Sequence, residues 1–405
     1  MAAKWPLCYV TAMIFPFSFA STPHIQFGAG MRIKLADIAQ VYGSRILLVT
    51  GGRSFDESVM CDELWRQLQS GFELRRVRVS GEPSPQLVDD TVAEHRSWNP
   101  DAVVAIGGGS VVDAAKAIAG LLPSGDSVME YLEGVGRGKA FKGPSTPFIA
   151  LPTTAGTGGE TSKNAVLSIV GADGYKKSFR DESLVARHII LDPELTLSCP
   201  KKVTASCGMD AFTQLLESYV SSNASPMTDA LALSGLEQIR DSLLTAVENG
   251  ENIDARAGML YASSISGLTL ANAGLGSVHG LASPLGAFFP MPHGEVCGSL
   301  LFHAVRINIE AMHKRDPNNR ALFRYAEVGR LLCNSSNISD NQARDALLSI
   351  LEEWTVKLAM PRLSDYGVEE GDFSRIIANI SSGSMATNPI KLEESEIMEL
   401  LRSRL

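Results

Sequence analysis

DAVVAIGGGSVVDAAKAIAG, residues 101–120, carries the reading on which the fold of the first half depends. Ala102–Ile106 is a run of β-branched and small apolar residues, which predicts a buried strand. From Val111 onward the apolar residues recur at helical spacing. Between the two lie Gly107, Gly108 and Gly109, which let the backbone turn tightly and approach a ligand without a Cβ in the way. The first amides of the following helix then face whatever sits above the turn, and the helix dipole favours an anion there. Ser110 and Asp113 form an S-x-x-D pair, the pattern of a capping-box start. The stretch is not G-x-G-x-x-G, and a Gly-rich turn alone is equally compatible with a plain capped turn. Gly134…Gly138-Lys139 lacks the Walker spacing and its hydroxyl residue.

The same alternation extends outward. RILLVT (45–50), LRRVRVS (74–80), TPFIAL (146–151) and RHIILD (187–192) read as further strands, and Phe15–Ala20 also alternates as a strand would, running into HIQFGAG. DELWRQLQS, PQLVDDTVAEHRS and VVDAAKAIAGLL, between these runs, are helical in period. This is the pattern of a parallel sheet with helices on both faces. A second Gly/Thr-rich loop, LPTTAGTGGETSKNAV (151–166), also leaves a strand. Two such loops at the carboxyl ends of parallel strands mark the nucleotide site of a doubly wound sheet, which favours a phosphate-bearing ligand. The strand RILLVT ends in Gly51-Gly52-Arg53-Ser54, with no acid at the point where an NAD-preferring site holds the ribose. An arginine there tilts the expectation towards NADP(H), with Arg53 facing the 2′-phosphate.

Beyond about Pro200 the chain becomes Ala/Leu-rich and helical in period throughout. Asp210 and Gln214 lie four residues apart in CGMDAFTQLLESYV, hence on one face of a helix. His279 and His293 follow in SVHGLASPLGAFFPMPHGEV, where Pro284, Pro290 and Pro292 argue against one continuous helix. His293 is therefore expected to reach the site from a separate element. One carboxylate, two imidazoles and an amide oxygen suit a borderline divalent ion, Fe²⁺ or Zn²⁺, with Gln214 the weakest member. Taken singly, each residue has a plainer reading, Asp210 as a first-turn acid and the histidines as core or surface residues. Their co-occurrence with two nucleotide-type loops favours the metal. His24, His95, His188, His303 and His313 read as structural.

Composition excludes several classes. At 405 residues two domains are expected. The net charge of −9, with basic groupings only at KRDPNNR and Lys201–Lys202, excludes a nucleic-acid surface. No run is long and apolar enough for a membrane span. The six cysteines, Cys8, Cys61, Cys199, Cys207, Cys297 and Cys333, show no CxxC spacing. That fits reduced thiols in a cytoplasmic enzyme better than disulfides or a cysteine-ligated zinc. MAAKWPLCYVTAMIFPFSFASTP has a cleavage-like Ser18-Phe19-Ala20, but Pro6 and Pro16 interrupt its apolar run. The bolder expectation is that translation begins at Met13 and that residues 1–12 are an extension of the reading frame.

GGGSVVDAAKAIA, LPTTAGTGGETS, LDPELT, CGMDAFTQLLESYVS and NAGLGSVHGLASPLGAFFPMPHGEV together resemble, in that order, the iron-containing (group III) alcohol dehydrogenases. The likeness runs from about Pro23 to the C-terminal ATNPIKL. It implies a Rossmann-like NAD(P)-binding α/β domain over residues 1–198 and an all-α, metal-binding domain over 199–405. By position, Asp210, His279 and His293 match the family's metal ligands. Gly109, Ser110, Asp113, Thr153, Thr154 and Thr157 match its cofactor contacts, with Gly108 in the same turn, and Lys176 in GYKKSF falls where the family has a lysine near the cofactor. Two positions depart from the pattern. Gln214 stands where a histidine ligand is usual, and Ser283 replaces a histidine near the nicotinamide, which leaves Ser283 as the candidate proton relay. The implied reaction is reversible hydride transfer between NAD(P)(H) and an alcohol or aldehyde, in a chain expected to self-associate, as a dimer. Phe288, Phe289 and Met291 suggest an apolar part of the pocket. The competing readings are a dehydroquinate-synthase-like NAD/metal cyclase and a catalytically inactive nucleotide-binding homologue. The first would want many cations near the metal, and the flanking segments carry almost none; the second is motivated by Gln214 and Ser283.

Overall fold

The computed structural model describes residues 16–405, so both expectations about the extreme N-terminus lie outside the described residues. Six strands form one parallel sheet: β1 (His24–Phe27), β2 (Arg45–Gly51), β3 (Glu73–Val79), β4 (Ala102–Gly107), β5 (Phe148–Pro152) and β8 (His188–Leu191). Their order is β1-β8-β5-β4-β2-β3. The chain runs outward from β2 to β3 on one side and from β4 to β5 on the other, so the order reverses between β2 and β4, where a doubly wound sheet opens a crevice. Thr50 lies opposite Ile106, and Gly107 opposite Pro152. The Gly-rich turn and the Gly/Thr-rich loop therefore emerge side by side at the carboxyl edge. Side-chain alternation explains the apolar runs: Leu47, Val49, Val103 and Ala105 face one core, and Ile46, Leu48, Val104 and Ile106 face another.

Two local expectations are corrected, and one element is new. Pro16–Ala20 forms no strand, and pairing begins only at His24. The Gly-rich turn is capped by Gly108 without a side-chain hydrogen bond, so Ser110 and Asp113 are not a capping box and the first-turn amides stay available to a ligand. An unforeseen antiparallel hairpin, β6 (Asn164–Ile169) and β7 (Tyr175–Arg180), follows the Gly/Thr-rich loop.

After β8 the described residues are helical. The helix Lys201–Val220 is buried at nearly every position from Thr204, as a central helix is, and it takes polar residues such as Asp210, Gln214 and Glu217 into the interior with it. The helices Pro226–Glu248 and Ile253–Ala273 pack against it. The Pro-interrupted stretch does split, into Ser277–Phe288 and His293–Arg315. Pro284 nevertheless sits inside the first of these. It cannot donate to the Gly280 carbonyl, and the Ser381 amide takes that acceptor at 3.1 Å.

The two halves meet where the Gly/Thr-rich loop lies on the helix Ile253–Ala273. Gly158 adopts φ 59°, and a Cβ on Gly267 would stand 2.0 Å from the Gly158 carbonyl oxygen. Gly267→Ala should therefore cost roughly 1–3 kcal/mol, as overpacking does, and should weaken nucleotide binding with it. Thermal denaturation checks this; an unchanged Tm would mean the contact gives way without cost.

Candidate active site

One cleft of about 1080 Å³ runs from the carboxyl edge of the sheet to the helical half. Its nucleotide end is lined by Gly51 and Gly52 from the end of β2, by Gly108, Gly109, Ser110 and Asp113 at the start of the helix Gly109–Leu121, and by Thr154 and Thr157. Thr153 is not among the lining residues; its amide donates to the Gly107 carbonyl at 3.0 Å and ties the two loops together. Arg53 opens a one-turn helix, Arg53–Asp56, directly after Gly52. The nearby Asp56 faces away from the cleft, paired with Arg76 at 2.6 Å and Arg78 at 3.2 Å.

A buried ammonium holds this end in shape. Lys116 Nζ donates to the carbonyls of Gly159 (2.6 Å), Ser162 (2.9 Å) and Asn164 (2.6 Å), fastening the Gly/Thr-rich loop to the helix below it. Burial pushes Lys116 down to about 8 although Asp113 and Glu160 oppose it. Burial likewise pushes the Asp113 carboxyl up to about 7 against the pull of Lys116.

The hairpin forms a side wall. Lys176 lines the cleft and pairs with Glu82 at 3.0 Å. Ser283 Oγ donates to the Lys176 carbonyl at 3.0 Å, so its one proton holds the hairpin to the helix Ser277–Phe288. Lys177 and Arg180 also reach the cleft, cations that inspection of the segments flanking Asp210 and the histidines could not reveal. Phe288, Phe289 and Met291 do not line it. Phe288 instead lies under the Arg375 guanidinium at 3.7 Å, and Leu270 and Ile380 are among the apolar lining residues.

At the deep end Asp210, His279 and His293 converge. Asp210 Oδ1 lies 3.3 Å from His279 Nε2 and 3.7 Å from His293 Nε2. Burial would raise the Asp210 carboxyl, but His293 and His279 outweigh it and hold it down at about 2. Burial in turn pushes His293 down to about 4. Gln214 is present too, yet its Nε2 donates to Asp210 Oδ1 at 3.2 Å and its Oε1 accepts from Ser266 at 2.9 Å. The amide as placed thus presents its donor side to the carboxylate. Two residues escaped the sequence reading. Cys297 joins the three donors, all four ligand atoms lying within 4.8 Å of one another. Its spacing from His293 is i+4 on a helix, the same signal that singled out Asp210 and Gln214. Glu217 accepts from the Val278 amide at 2.7 Å and contacts His279 Nδ1 at 2.7 Å, leaving Nε2 free for the site. Oxygen, imidazole nitrogen and sulfur donors at this separation fit a borderline divalent ion.

Family models match both halves: "Iron-containing alcohol dehydrogenase" over residues 22–193 and "Fe-containing alcohol dehydrogenase family, C-terminal" over residues 204–405. Long-chain-alcohol dehydrogenase 1 of Geobacillus thermodenitrificans is 32% identical over 96% of this chain and 95% of its own. The chain belongs to the iron-containing alcohol dehydrogenase family. The crystal structure of a 1,3-propanediol oxidoreductase superposes with a TM-score of 0.86 at 29% identity, over 96% of this chain and 100% of that one. Sulfoacetaldehyde reductase from Bifidobacterium kashiwanohense, solved with NAD⁺, gives 0.83 at 28% identity, over 96% and 99%.

Membership in the iron-containing alcohol dehydrogenases carries the fold of both halves and an oxidoreductase activity between a nicotinamide cofactor and an alcohol or aldehyde. A dehydroquinate-synthase-like cyclase is not favoured. Within this family member, Glu217 orients His279 as carboxylates orient metal-binding histidines generally. Glu217→Gln should lower divalent-metal affinity about 10–100-fold, because an amide cannot accept from both the Val278 amide and His279. Titration of the metal-free protein with Zn²⁺ checks this; unchanged affinity would remove Glu217 from the site.

Proposed function

We propose that the protein is a metal-dependent alcohol dehydrogenase that uses NADP(H) and holds a divalent ion on Asp210, His279 and His293. The observation that carries the proposal is the convergence of these three side chains at the floor of a cleft whose mouth is built from phosphate-type loops. A metal bound there would supply Lewis acidity to an alcohol or carbonyl oxygen, and the nicotinamide would accept or deliver the hydride.

The chain's own residues then have defined tasks. The amides at the start of the helix Gly109–Leu121, with Gly108 and Gly109 stripped of side chains, would hold the cofactor pyrophosphate. Thr154 and Thr157 border the same space, and Lys176 lines the cleft with them. Ser283 is best read as a positioning residue, since its hydroxyl already donates to the Lys176 carbonyl; a released proton would pass to water in the cleft. The cofactor preference rests on the end of β2, where Gly51 and Gly52 offer no carboxylate to the ribose and Asp56 is engaged elsewhere. Five cysteines among the described residues are free thiols, which suits a reducing cytoplasm.

Asp210→Ala should abolish metal binding and cut turnover by roughly 10³-fold or more, the scale of a lost Lewis acid, while nucleotide binding and fold persist. Full activity in metal-stripped Asp210→Ala enzyme would refute the mechanism. Comparison of kcat/KM with NADPH and NADH on short aldehydes tests the cofactor assignment. NADPH should be favoured; a strong preference for NADH would overturn it.

A further inference from the structure

Four edges of a polyhedron can be measured among the donors at the cleft floor. Asp210 Oδ1 stands 3.3 Å from His279 Nε2 and 3.7 Å from His293 Nε2. Cys297 Sγ stands 3.7 Å from His279 Nε2 and 3.8 Å from His293 Nε2. Around a tetrahedral ion, metal–nitrogen bonds of about 2.0–2.1 Å and metal–sulfur bonds of about 2.3 Å separate neighbouring donors by roughly 3.3–3.6 Å. The four edges are close to that length without any movement of the side chains. His293 and Cys297 are one turn apart at the start of the helix His293–Arg315, so a single rigid element delivers both.

Gln214 is worse placed for the same task. Its amide nitrogen faces Asp210 and its oxygen faces Ser266. To coordinate, the amide would have to turn over, and it would then offer a hard neutral oxygen where a thiol is already in reach. Cys297 is fully buried and does not line the cleft, whereas Asp210, His279 and His293 do. Sulfur at that position closes the set from the protein side and leaves the cleft side to a substrate oxygen.

We propose that Cys297, not Gln214, is the fourth protein ligand, and that the resulting Asp/His/His/thiolate set selects Zn²⁺ over Fe²⁺. The inference rests on the metal site proposed above and specifies its composition. Thiolate is a soft donor that suits zinc, and its pairing with two imidazoles and a single carboxylate departs from an all-nitrogen-and-oxygen iron site. Gln214 then serves as the hydrogen-bond partner that orients Asp210.

The test is metal-free protein reconstituted with Co²⁺ and followed by optical absorption. A thiolate-to-cobalt charge-transfer band in the near ultraviolet is expected in the wild type and in Gln214→Ala, and is expected to vanish in Cys297→Ser while cobalt remains bound. Zinc affinity should fall by roughly tenfold or more in Cys297→Ser, as loss of a thiolate donor from a tetrahedral site requires. X-ray absorption of the unmutated zinc protein should show one sulfur at about 2.3 Å, a readout that survives even if the variant does not fold. Cobalt bound without the band, or zinc without a sulfur neighbour, would overturn the role of Cys297 and leave the metal site standing. Failure of the unmutated protein to bind either ion at this site would overturn both.

Discussion

The backbone of Gly158 rests directly on Gly267, close enough that the smallest side chain would leave only 2.0 Å to a carbonyl oxygen. Thr161 Oγ1 donates to the Ser264 carbonyl at 3.1 Å beside it. From the other side Lys116 grips the same loop through three carbonyls. The loop is therefore clamped between the helix under the sheet and a helix of the second half. Since it carries Thr154 and Thr157 towards the nucleotide end, and the helix Ile253–Ala273 packs against the one bearing Asp210, the clamp sets the span between cofactor and metal ends of the cleft. Close packing transmits such a constraint because interiors yield little.

At the other end the constraint is electrostatic. His279 lies between Asp210 and Glu217, and all three are buried. Burial opposes charge on the imidazole, but Cys297, Asp210 and Glu217 raise it well above its ordinary value. Isolated, any of these charges would be strongly disfavoured in the interior; together each satisfies the next. A cluster so arranged is specific in geometry because every member depends on the position of two others. That dependence is what a metal site requires of its side chains.

Much of this was readable from local pattern. Five runs fell on strands: four are the unbroken apolar stretches of a parallel sheet buried on both faces, and the fifth, the Arg-rich LRRVRVS, is the edge strand, exposed or half-buried at most positions. The triple glycine and the Gly/Thr-rich loop were recognisable because close backbone approach excludes most other residues. The hairpin was missed, although Asp173-Gly174 between Ile169 and Tyr175 is a turn signal. Its strand YKKSFR is too polar to resemble a core strand, being half-buried at most positions. The prolines rightly marked the break between Phe288 and His293, while Pro284 itself is tolerated inside a helix because a partner for the Gly280 carbonyl comes from Ser381, a hundred residues away.

Asp210, His279 and His293 could be nominated from the sequence, because residue type and i+4 spacing are local properties and the family pattern supplied the rest. Cys297 carried an i+4 spacing from His293 and Glu217 no such signal, but nothing in a linear string shows which buried thiol or carboxylate will face an imidazole. Only packing decided that Cys297 stands beside both histidines, that Gln214 presents its nitrogen rather than its oxygen to Asp210, and that the hydroxyl of Ser283 is already spent on the Lys176 carbonyl. The sequence determines which elements form, through periodicity and turn chemistry acting over a few residues. Which donors meet is settled by how the helices Lys201–Val220 and Ser277–Phe288 pack on His293–Arg315, contacts between distant parts of the chain that exist only once the helical half is folded.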